Sequence, residues 1–248
     1  MNGNYLSAVY LREELPCGSY LRRLPAVRRL MAGEKLTFDA PVTFLVGENG
    51  SGKSTLLEAI AVACGLNAEG GSRNFRFSTR ATHSELGRLL TAVRRRYPMD
   101  SFFLRAESFY NVASHIDELD GEPSFGGPLI DSYGGVSLHE QSHGESFMAL
   151  VQNRFGGGGL YLLDEPEAAL SPSRQLTLLA EIRQLVEMDS QFVIATHSPI
   201  LMAYPGSQIY LLSGEGIRSV AYRETEHYQL TRRFLEDPER MLRYLFEE

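Results

Sequence analysis

Short apolar runs separated by polar turns predict a chain of alternating strands and helices. Two of these runs, 42–46 and 160–163, are apolar or β-branched at every position rather than at every second one. Because strands buried on both faces have this pattern, the second run indicates such a strand, and the first run is also predicted to be a strand. A helical stretch at 53–64, ended by Gly65, follows the first run, and one at about 172–188 follows the second.

The rest of the pattern adds shorter elements. Strands are predicted at 5–15, 36–38, 101–106 and 192–195, a hairpin at 208–212 and 217–222, and helices at 84–96, at 145–155 and after Asp237-Pro238. The Arg-rich segment 20–32 is predicted to be a turn or a helix. Residues 66–82 read as loop, and 120–138 are rich in Gly, Pro and Ser without periodicity, which predicts a mobile excursion.

Composition adds the expectation of a soluble protein in a reducing compartment. The 248 residues, 43% hydrophobic and 22% charged, suit one α/β domain with a sizeable core. Apolar runs fall far short of the ~20 residues that a spanning helix needs, and the N-terminal residues lack signal-peptide features. Cys17 and Cys64 show no metal-ligand spacing. We therefore expect a cytoplasmic protein without a transmembrane segment.

The net charge of −7 excludes a protein whose whole surface grips a phosphate backbone. Local basic clusters remain, one formed by Arg22, Arg23, Arg28 and Arg29 and another by Arg94, Arg95 and Arg96. They fit either solvated helix faces or a local contact with nucleic acid or nucleotide.

A glycine-rich segment, GENGSGKST at 47–55, joins the first buried strand to its helix and fits the pattern G-x-x-x-x-G-K-[ST]. Backbone N–H groups can wrap a phosphate there because glycines leave room, and the helix N-terminus favours the anion. Lys53 is predicted to reach the β/γ-phosphates and Ser54 to place its hydroxyl on Mg²⁺. The predicted nucleotide-binding set is Asn49, Gly50, Ser51, Gly52, Lys53, Ser54 and Thr55. The alternative is a tight turn that needs glycine, but such a turn would not require Lys53.

Two carboxylates, Asp164 and Glu165, end the second buried strand. Open α/β sheets bind ligands at this end of their strands. Asp164 is predicted to hold Mg²⁺, and Glu165 to orient and deprotonate the attacking water. The alternative is a pair of helix-capping acids. His197 ends the next apolar strand and is predicted to contact a γ-phosphate, although a lone histidine is more often structural.

Together these elements resemble the ABC-type ATPase fold, and the stretch between them, Gln141 to Ser146, is similar to the signature loop Leu-Ser-Gly-Gly-Gln of that family. Ser142 and Gly144 match the signature, whereas Gln141, His143 and Glu145 depart from it. In the family this loop comes from the opposite subunit and closes on the γ-phosphate. The resemblance therefore implies an ATP-dependent homodimer with Mg-ATP at its interface. It also implies a mostly parallel sheet flanked by helices, an antiparallel N-terminal β-subdomain, and a helical or lid insertion at roughly 66–145.

The chain departs from the family elsewhere. Ser171 stands where the D-loop usually has Asp, and no Gln occurs between Lys53 and Gln141 to serve as the Q-loop residue. By position Glu107 or Ser108 takes that place, and Glu107 is the predicted additional Mg²⁺ ligand.

These departures favour the soluble branch related to SMC and RecF heads over a transporter ATPase. Nearly the whole chain resembles small stand-alone bacterial proteins described only as predicted ATPases; the matching stretches are GENGSGKSTLLEAIA, FFLRAESFYNVA, EQSHGES, LYLLDEPEAALSP and ATHSPILMAYP.

The expected reaction is hydrolysis of ATP to ADP and phosphate, in a switch acting on nucleic acid in DNA repair or anti-phage defence. The alternatives are the ATP-binding subunit of an ABC transporter, a nucleotide-gated protein-interaction module with little turnover, and a P-loop kinase. Asp164 and Glu165 weaken the kinase because they suit activation of water.

Overall fold

The structure is a computed structural model that describes residues 4–72, 85–106, 109, 113–114, 117, 135, 137, 139 and 141–246. Its strands are β1 Leu6–Leu11, β2 Leu36–Thr37, β3 Val42–Gly47, β4 Gly71–Ser72, β5 Leu90–Arg94, β6 Asp100–Arg105, β7 Gly159–Asp164, β8 Gln191–Ala195, β9 Gln208–Ser213 and β10 Gly216–Ser219. Its α-helices are α1 Pro25–Met31, α2 Lys53–Ala63, α3 Leu86–Leu89, α4 His143–Arg154, α5 Pro172–Glu187, α6 Glu226–Glu236 and α7 Pro238–Phe246. Single 3-10 turns occur at Tyr20–Arg23, Pro166–Ala168, Leu201–Ala203 and Tyr222–Glu224.

The strands form two sheets. In the larger one the order is β10-β9-β3-β8-β7-β6-β4, and the five central strands from β9 to β6 run parallel. The edge strands β10 and β4 pair antiparallel with β9 and β6. The smaller sheet has the order β2-β1-β5 with antiparallel pairing throughout. The predicted fold class, a mostly parallel sheet with helices and an antiparallel N-terminal subdomain, is confirmed.

The larger sheet separates two hydrophobic cores, and successive side chains of β3 alternate between them. Phe44 and Val46 face the core covered by α4 and α5, whereas Leu45 faces the core shared with α2 and the smaller sheet. All three are completely buried. Burial of one such side chain contributes ~1.5–3 kcal/mol, so the strand that leads into the glycine-rich loop is firmly held on both faces.

The prediction of a helix at 84–96 is wrong. Only Leu86–Leu89 is helical, and Leu90–Arg94 is strand β5, which pairs with β1. The apolar residues there fit both a helical and an alternating spacing, and pairing with a strand distant in sequence decides between them. The predicted insertion at 66–145 therefore includes β4, β5 and β6, which belong to the sheets. Almost all of the predicted excursion 120–138 lies outside the described residues.

None of the helices in the described parts of the chain is long and apolar enough to cross a membrane.

Candidate functional site

The loop between β3 and α2 has a backbone shape that side chains would obstruct. Gly47, Gly50 and Gly52 have φ angles of 152°, 79° and 93°, in the region that favours glycine. A Cβ atom on Gly47 would lie 2.3 Å from the carbonyl oxygen of Leu212 in β9. Helix α2 begins at Lys53, directly after Gly52, so the free N–H groups of its first turn point toward the loop.

Lys53 is almost fully buried, at 4% exposure, and its ammonium group is held by the loop itself. Nζ donates to the carbonyl oxygens of Gly47 at 2.9 Å and Glu48 at 3.0 Å. Burial lowers the pKa of Lys53, and the nearby carboxylates of Glu165 and Asp164 oppose this effect. The ammonium group is therefore a buried positive charge in a position to exchange two carbonyl partners for phosphate oxygens.

Three adjacent parallel strands bring the predicted motifs to one edge of the sheet. Leu45 of β3 pairs with Ala195 of β8, and Ala195 pairs with Asp164 of β7. The glycine-rich loop, the segment after β8 and the acidic pair after β7 therefore emerge at the same level. An acidic cavity of about 180 Å³ lies beside the acidic pair and the start of α2, and it is lined by Ser54, Ala106, His143, Asp164, Glu165, Ala168 and Ala169.

Asp164 is buried at 6% exposure and contacts an arginine that the motif analysis missed. Arg105 ends β6, pairs with Asp164 in the parallel ladder, and places its Nε atom 3.3 Å from Oδ2 of Asp164. Its Nη1 atom lies 3.1 Å from Oε2 of Glu58 on α2. The only sequence signal is its position at the end of a strand next to the acidic pair.

Glu165 has an unusual backbone conformation that directs its side chain. Its φ and ψ angles are 50° and 51°, the left-handed region that non-glycine residues rarely adopt. Its N–H group donates to the carbonyl oxygen of Ala195 at 2.9 Å. The side chain lines the acidic cavity and places Oε1 3.7 Å from Nε2 of His197. The carboxylate of Glu165 thus lies next to the Nε2 atom of His197.

His197 is anchored at both its backbone and its ring by residues that the motif analysis missed. Its backbone N–H donates to Oε1 of Glu167, and its Nδ1 atom lies 3.1 Å from Nε2 of His227 in α6. Burial raises the pKa of Glu167 and lowers the pKa of both His197 and His227. His227 follows His197 by 30 residues, and no local pattern in the sequence marks it.

The rest of the glycine-rich loop faces a second space, the loop cavity, of about 480 Å³. Gly47, Glu48, Asn49, Gly50 and Ser51 line it, together with residues from β9, β10 and the start of α6, including His227. Thr55 lies on α2 and is half-buried.

The signature-like loop forms the N-terminus of α4. The Ser142 hydroxyl donates to Oε2 of Glu145 at 2.5 Å, and Glu145 also contacts Arg174 at 3.1 Å. These contacts lower the pKa of Glu145. A Cβ atom on Gly144 would lie 2.9 Å from the carbonyl oxygen of Ala169, so this loop is packed closely on the segment after β7.

The structure therefore brings Ser54, Asp164 and Glu165 together in one cavity, with Lys53 and His197 beside it. Ser142 and Gly144 are not among the residues lining that cavity, although His143 between them is. Glu107, the predicted additional metal ligand, lies outside the described residues, as does Ser108.

Chemically, the site fits a polyphosphate and a hard divalent cation. The glycine cradle and buried ammonium group suit phosphate oxygens, and the hydroxyl of Ser54 with the carboxylate of Asp164 supplies the oxygen ligands that Mg²⁺ prefers. Glu165 adds a second carboxylate to the same cavity, and a carboxylate can accept a proton from water.

Family models match two parts of the chain. Residues 26–102 match a model described as "AAA domain", and residues 136–203 match one described as "AAA domain, putative AbiEii toxin, Type IV TA system". The first contains the glycine-rich loop, and the second contains the signature-like loop, the acidic pair and His197.

Two curated relatives are similar over part of their length. The macrolide export ATP-binding/permease protein MacB of Hahella chejuensis is 26% identical over 196 residues, which is 69% of this chain and 28% of the relative. An uncharacterized ABC transporter ATP-binding protein of Haemophilus influenzae is 32% identical over 75 residues, which is 30% of this chain and 28% of the relative. The matches thus span less than a third of either relative.

Solved structures share the fold. CbiO1 from Clostridium perfringens, part of the ABC transporter complex cbiONQ, superposes with a TM-score of 0.52 at 16% identity, covering 99% of this chain and 100% of that one. A structure described as a "putative metal-chelate type ABC transporter" in an inward-facing conformation gives a TM-score of 0.51 at 16% identity, covering 93% of this chain and 88% of that one.

Proposed function

We propose that this chain is an ABC-type P-loop ATPase of the SMC/RecF-like kind, which binds Mg-ATP at the loop 47–55 and hydrolyses it to ADP and phosphate; the matches of residues 26–102 and 136–203 to AAA-domain models support the proposal. The observation that carries the proposal is the convergence of Lys53, Asp164, Glu165 and His197 at one edge of the sheet, on adjacent parallel strands. A structural turn would need the glycines but not this set of charges around them.

Each residue has a role that follows from its position. Backbone N–H groups from Asn49 to Lys53 bind the phosphates, and the ammonium group of Lys53 neutralises charge on the β/γ-phosphates. Glu165 orients the attacking water and accepts its proton. His197 donates to the γ-phosphate from the Nε2 atom that faces Glu165.

Ser54 and Asp164 would hold Mg²⁺, because both line the acidic cavity and offer oxygen ligands. The metal ion would supply electrostatic neutralisation of the phosphate oxygens. Asp164 has Arg105 as a neighbouring cation, so its carboxylate is compensated within the protein when no other cation is near.

We further propose that two copies of the chain close around ATP, with Ser142 and Gly144 of one copy covering the γ-phosphate held by the other. The position of both residues at the N-terminus of α4 supports this proposal, because N–H groups there can bind an anion. The Ser142 hydroxyl would have to leave Glu145 to do so. Hydrolysis would then remove contacts that bridge the dimer, which couples ATP state to an open or closed assembly.

The partner class that we favour is nucleic acid, in repair or anti-phage defence, and a protein partner gated by nucleotide is the alternative within the same assembly. A transporter subunit is the second candidate, and the similarity to the MacB protein and the fold shared with ABC transporter structures favour it.

Glu165→Gln tests hydrolysis directly. The variant should bind ATP with unchanged affinity, turn over at least about 10²-fold more slowly, and accumulate as a dimer with ATP by mass measurement. Glu187→Gln, an exposed glutamate near the end of α5, is the matched control and should behave like the unmodified protein. Normal turnover by Glu165→Gln would remove that residue from catalysis.

The partner class is separated by ATPase assays with DNA, RNA or phospholipid vesicles added. Stimulation by nucleic acid supports the first role. A protein that hydrolyses ATP only when combined with a membrane permease would instead be a transporter subunit.

A further inference from the structure

The ring of His197 is held by a second histidine from a distant part of the chain. His227 lies in the first turn of α6, and its Nε2 atom is 3.1 Å from Nδ1 of His197. The two rings are tilted by 55° with centroids 5.3 Å apart, so they meet through their nitrogens rather than by stacking. The other nitrogen of His227, Nδ1, is buried and has no hydrogen-bond partner among the residues that the structure describes.

Neighbouring contacts fix the position of α6 and therefore of His227. The Thr225 hydroxyl caps the helix by accepting from the N–H group of Tyr228 at 3.4 Å. The Tyr222 hydroxyl donates to the carbonyl oxygen of Pro199 at 2.9 Å, two residues beyond His197. The rings of Tyr222 and Tyr228 pack with centroids 4.7 Å apart. The segment after β8 and the start of α6 thus form one packed unit.

The hydrogen bond between the two rings requires one proton, and the surroundings decide which ring supplies it. A hydrogen bond between two ring nitrogens needs one donor and one acceptor, and burial lowers the pKa of both histidines, which favours neutral rings that each carry one N–H group. Nε2 of His197 faces the carboxylate of Glu165, which accepts hydrogen bonds and has none to donate when ionised. That arrangement favours the proton of His197 on Nε2, which leaves Nδ1 as an acceptor. His227 must then donate from Nε2.

We propose that His227 is a positioning residue that holds His197 in the Nε2–H tautomer, with that N–H group directed toward Glu165 and the γ-phosphate. The inference rests on the proposed ATPase function and adds to it a residue outside the motifs. A phosphate oxygen accepts hydrogen bonds as a carboxylate does, so the same tautomer serves both. The anchor at the backbone is Glu167 and the anchor at the ring is His227.

The tautomer is measured first, in the unmodified protein. The chain has six histidines, and ¹⁵N-histidine labelling with long-range ¹H–¹⁵N correlation distinguishes Nδ1–H from Nε2–H. His197 is assigned by the peaks lost in His197→Gln. The proposal requires Nε2–H for His197 and also for His227. A proton on Nδ1 of His197 would overturn it, whether or not the protein hydrolyses ATP.

Two substitutions then test the positioning role. His227→Leu removes the donor and should mix the tautomers of His197 and lower kcat by about tenfold with little change in KM. His227→Gln can donate from its side-chain amide and should recover most of the lost kcat. Arg233→Leu, exposed on the same helix, controls for the effect of a leucine on α6 and should keep the unmodified kcat.

The outcomes separate the two proposals. Unchanged kcat and an unchanged His197 tautomer in His227→Leu would overturn the positioning role. If His227→Leu unfolds, the positioning role is tested by the His197 tautomer in the unmodified protein and by the kcat of His227→Gln relative to the unmodified protein. An unmodified protein with the Nε2–H tautomer but no ATPase activity under any condition would contradict the proposed function and leave the hydrogen-bond assignment supported.

Discussion

Arg105 and Asp164 end two neighbouring parallel strands, and Nε of Arg105 lies 3.3 Å from Oδ2 of Asp164. The same guanidinium group contacts Glu58 at 3.1 Å. An internal cation thus sits next to the carboxylate proposed to hold Mg²⁺. If Asp164 holds Mg²⁺ as proposed, metal and arginine would compete for one carboxylate, and Arg105 would set how readily the site takes up a cation.

Arg105→Gln should lower the Mg²⁺ concentration needed for half-maximal ATP binding by several-fold, because Asp164 and Glu58 lose a competing cation. It should also lower the free energy of unfolding by about 2 kcal/mol, since the charged hydrogen bond to Glu58 and the ion pair with Asp164, all between largely buried groups, are lost. Calorimetric titration of ATP at several Mg²⁺ concentrations measures the first effect and urea unfolding the second.

Arg154→Gln is the matched control, because Arg154 forms a similar ion pair with Asp100 at the opposite end of β6, at 2.7 Å. It should destabilise the protein without changing its Mg²⁺ dependence. Equal Mg²⁺ dependence in both variants would show that Arg105 does not compete for Asp164.

Lys53→Ala should weaken ATP binding by about 10²-fold, since a buried ammonium group that would bind phosphate oxygens is lost. Lys53→Arg should also bind weakly, because the planar guanidinium group does not fit a space shaped for a compact ammonium group. Titration with a fluorescent nucleotide measures the dissociation constant of each variant, and thermal melting checks that each variant is folded. If Lys53→Ala binds ATP normally, the loop 47–55 is only a glycine-dependent turn.

Acidification should destabilise the protein through the histidine pair. The folded pKa of His197 and His227 is lowered by burial, while the unfolded chain takes up protons near the ordinary value of about 6.5. Their contribution to stability is therefore complete above about pH 6.5 and is lost as the pH falls through the folded pKa values.

Urea unfolding at pH values from 7.5 to 5.5, without nucleotide, measures this slope. A double variant, His197→Asn with His227→Leu, should flatten it, whereas His143→Asn, which leaves the pair intact, should not.

Glu167 acts in the opposite sense: burial raises its pKa, so its contribution favours folding below its unfolded pKa of about 4.3 and fades as the pH rises through the folded value.

Gly144→Ala should destabilise the protein by about 1–2 kcal/mol, although alanine normally favours a helix. The added Cβ atom would lie 2.9 Å from the carbonyl oxygen of Ala169, a backbone atom, and 2.5 Å from Nη1 of Arg174, which can move. Gly156→Ala, with open space around the new atom, is the control and should be close to neutral. Thermal melting that ranks the two variants equally would contradict the close packing of this loop.

The parts of the fold that sequence reasoning predicted correctly are those fixed by local pattern. Strand β3 reads as a continuous buried run because both of its faces are covered, and the same holds for β7. Strand β5 was missed because its side chains are mostly half-buried and its pairing with β1 joins residues far apart in sequence. That distant pairing, which decides between the helical and the alternating spacing of this segment, cannot be read from the local pattern.

The site divides in the same way. Lys53, Asp164, Glu165 and His197 stand at the ends of strands or in a glycine-rich motif, so local patterns in the sequence mark them. Arg105 and His227 contact Asp164 and His197 from distant parts of the chain, and these contacts depend on a strand register and a helix position that only the folded chain defines. Ser142 and Gly144 could be predicted as a loop at a helix start, while their role toward a second copy stays a prediction.

The left-handed backbone of Glu165 creates a conflict between stability and the proposed activity at this position. Such a conformation costs an L-residue about 1–2 kcal/mol relative to the right-handed form, and glycine or asparagine adopts it more easily. Selection for thermal stability alone would therefore tend to replace the glutamate. A screen for thermally stable variants of this chain would therefore enrich proteins that lack the proposed proton acceptor, unless ATP turnover is selected at the same time.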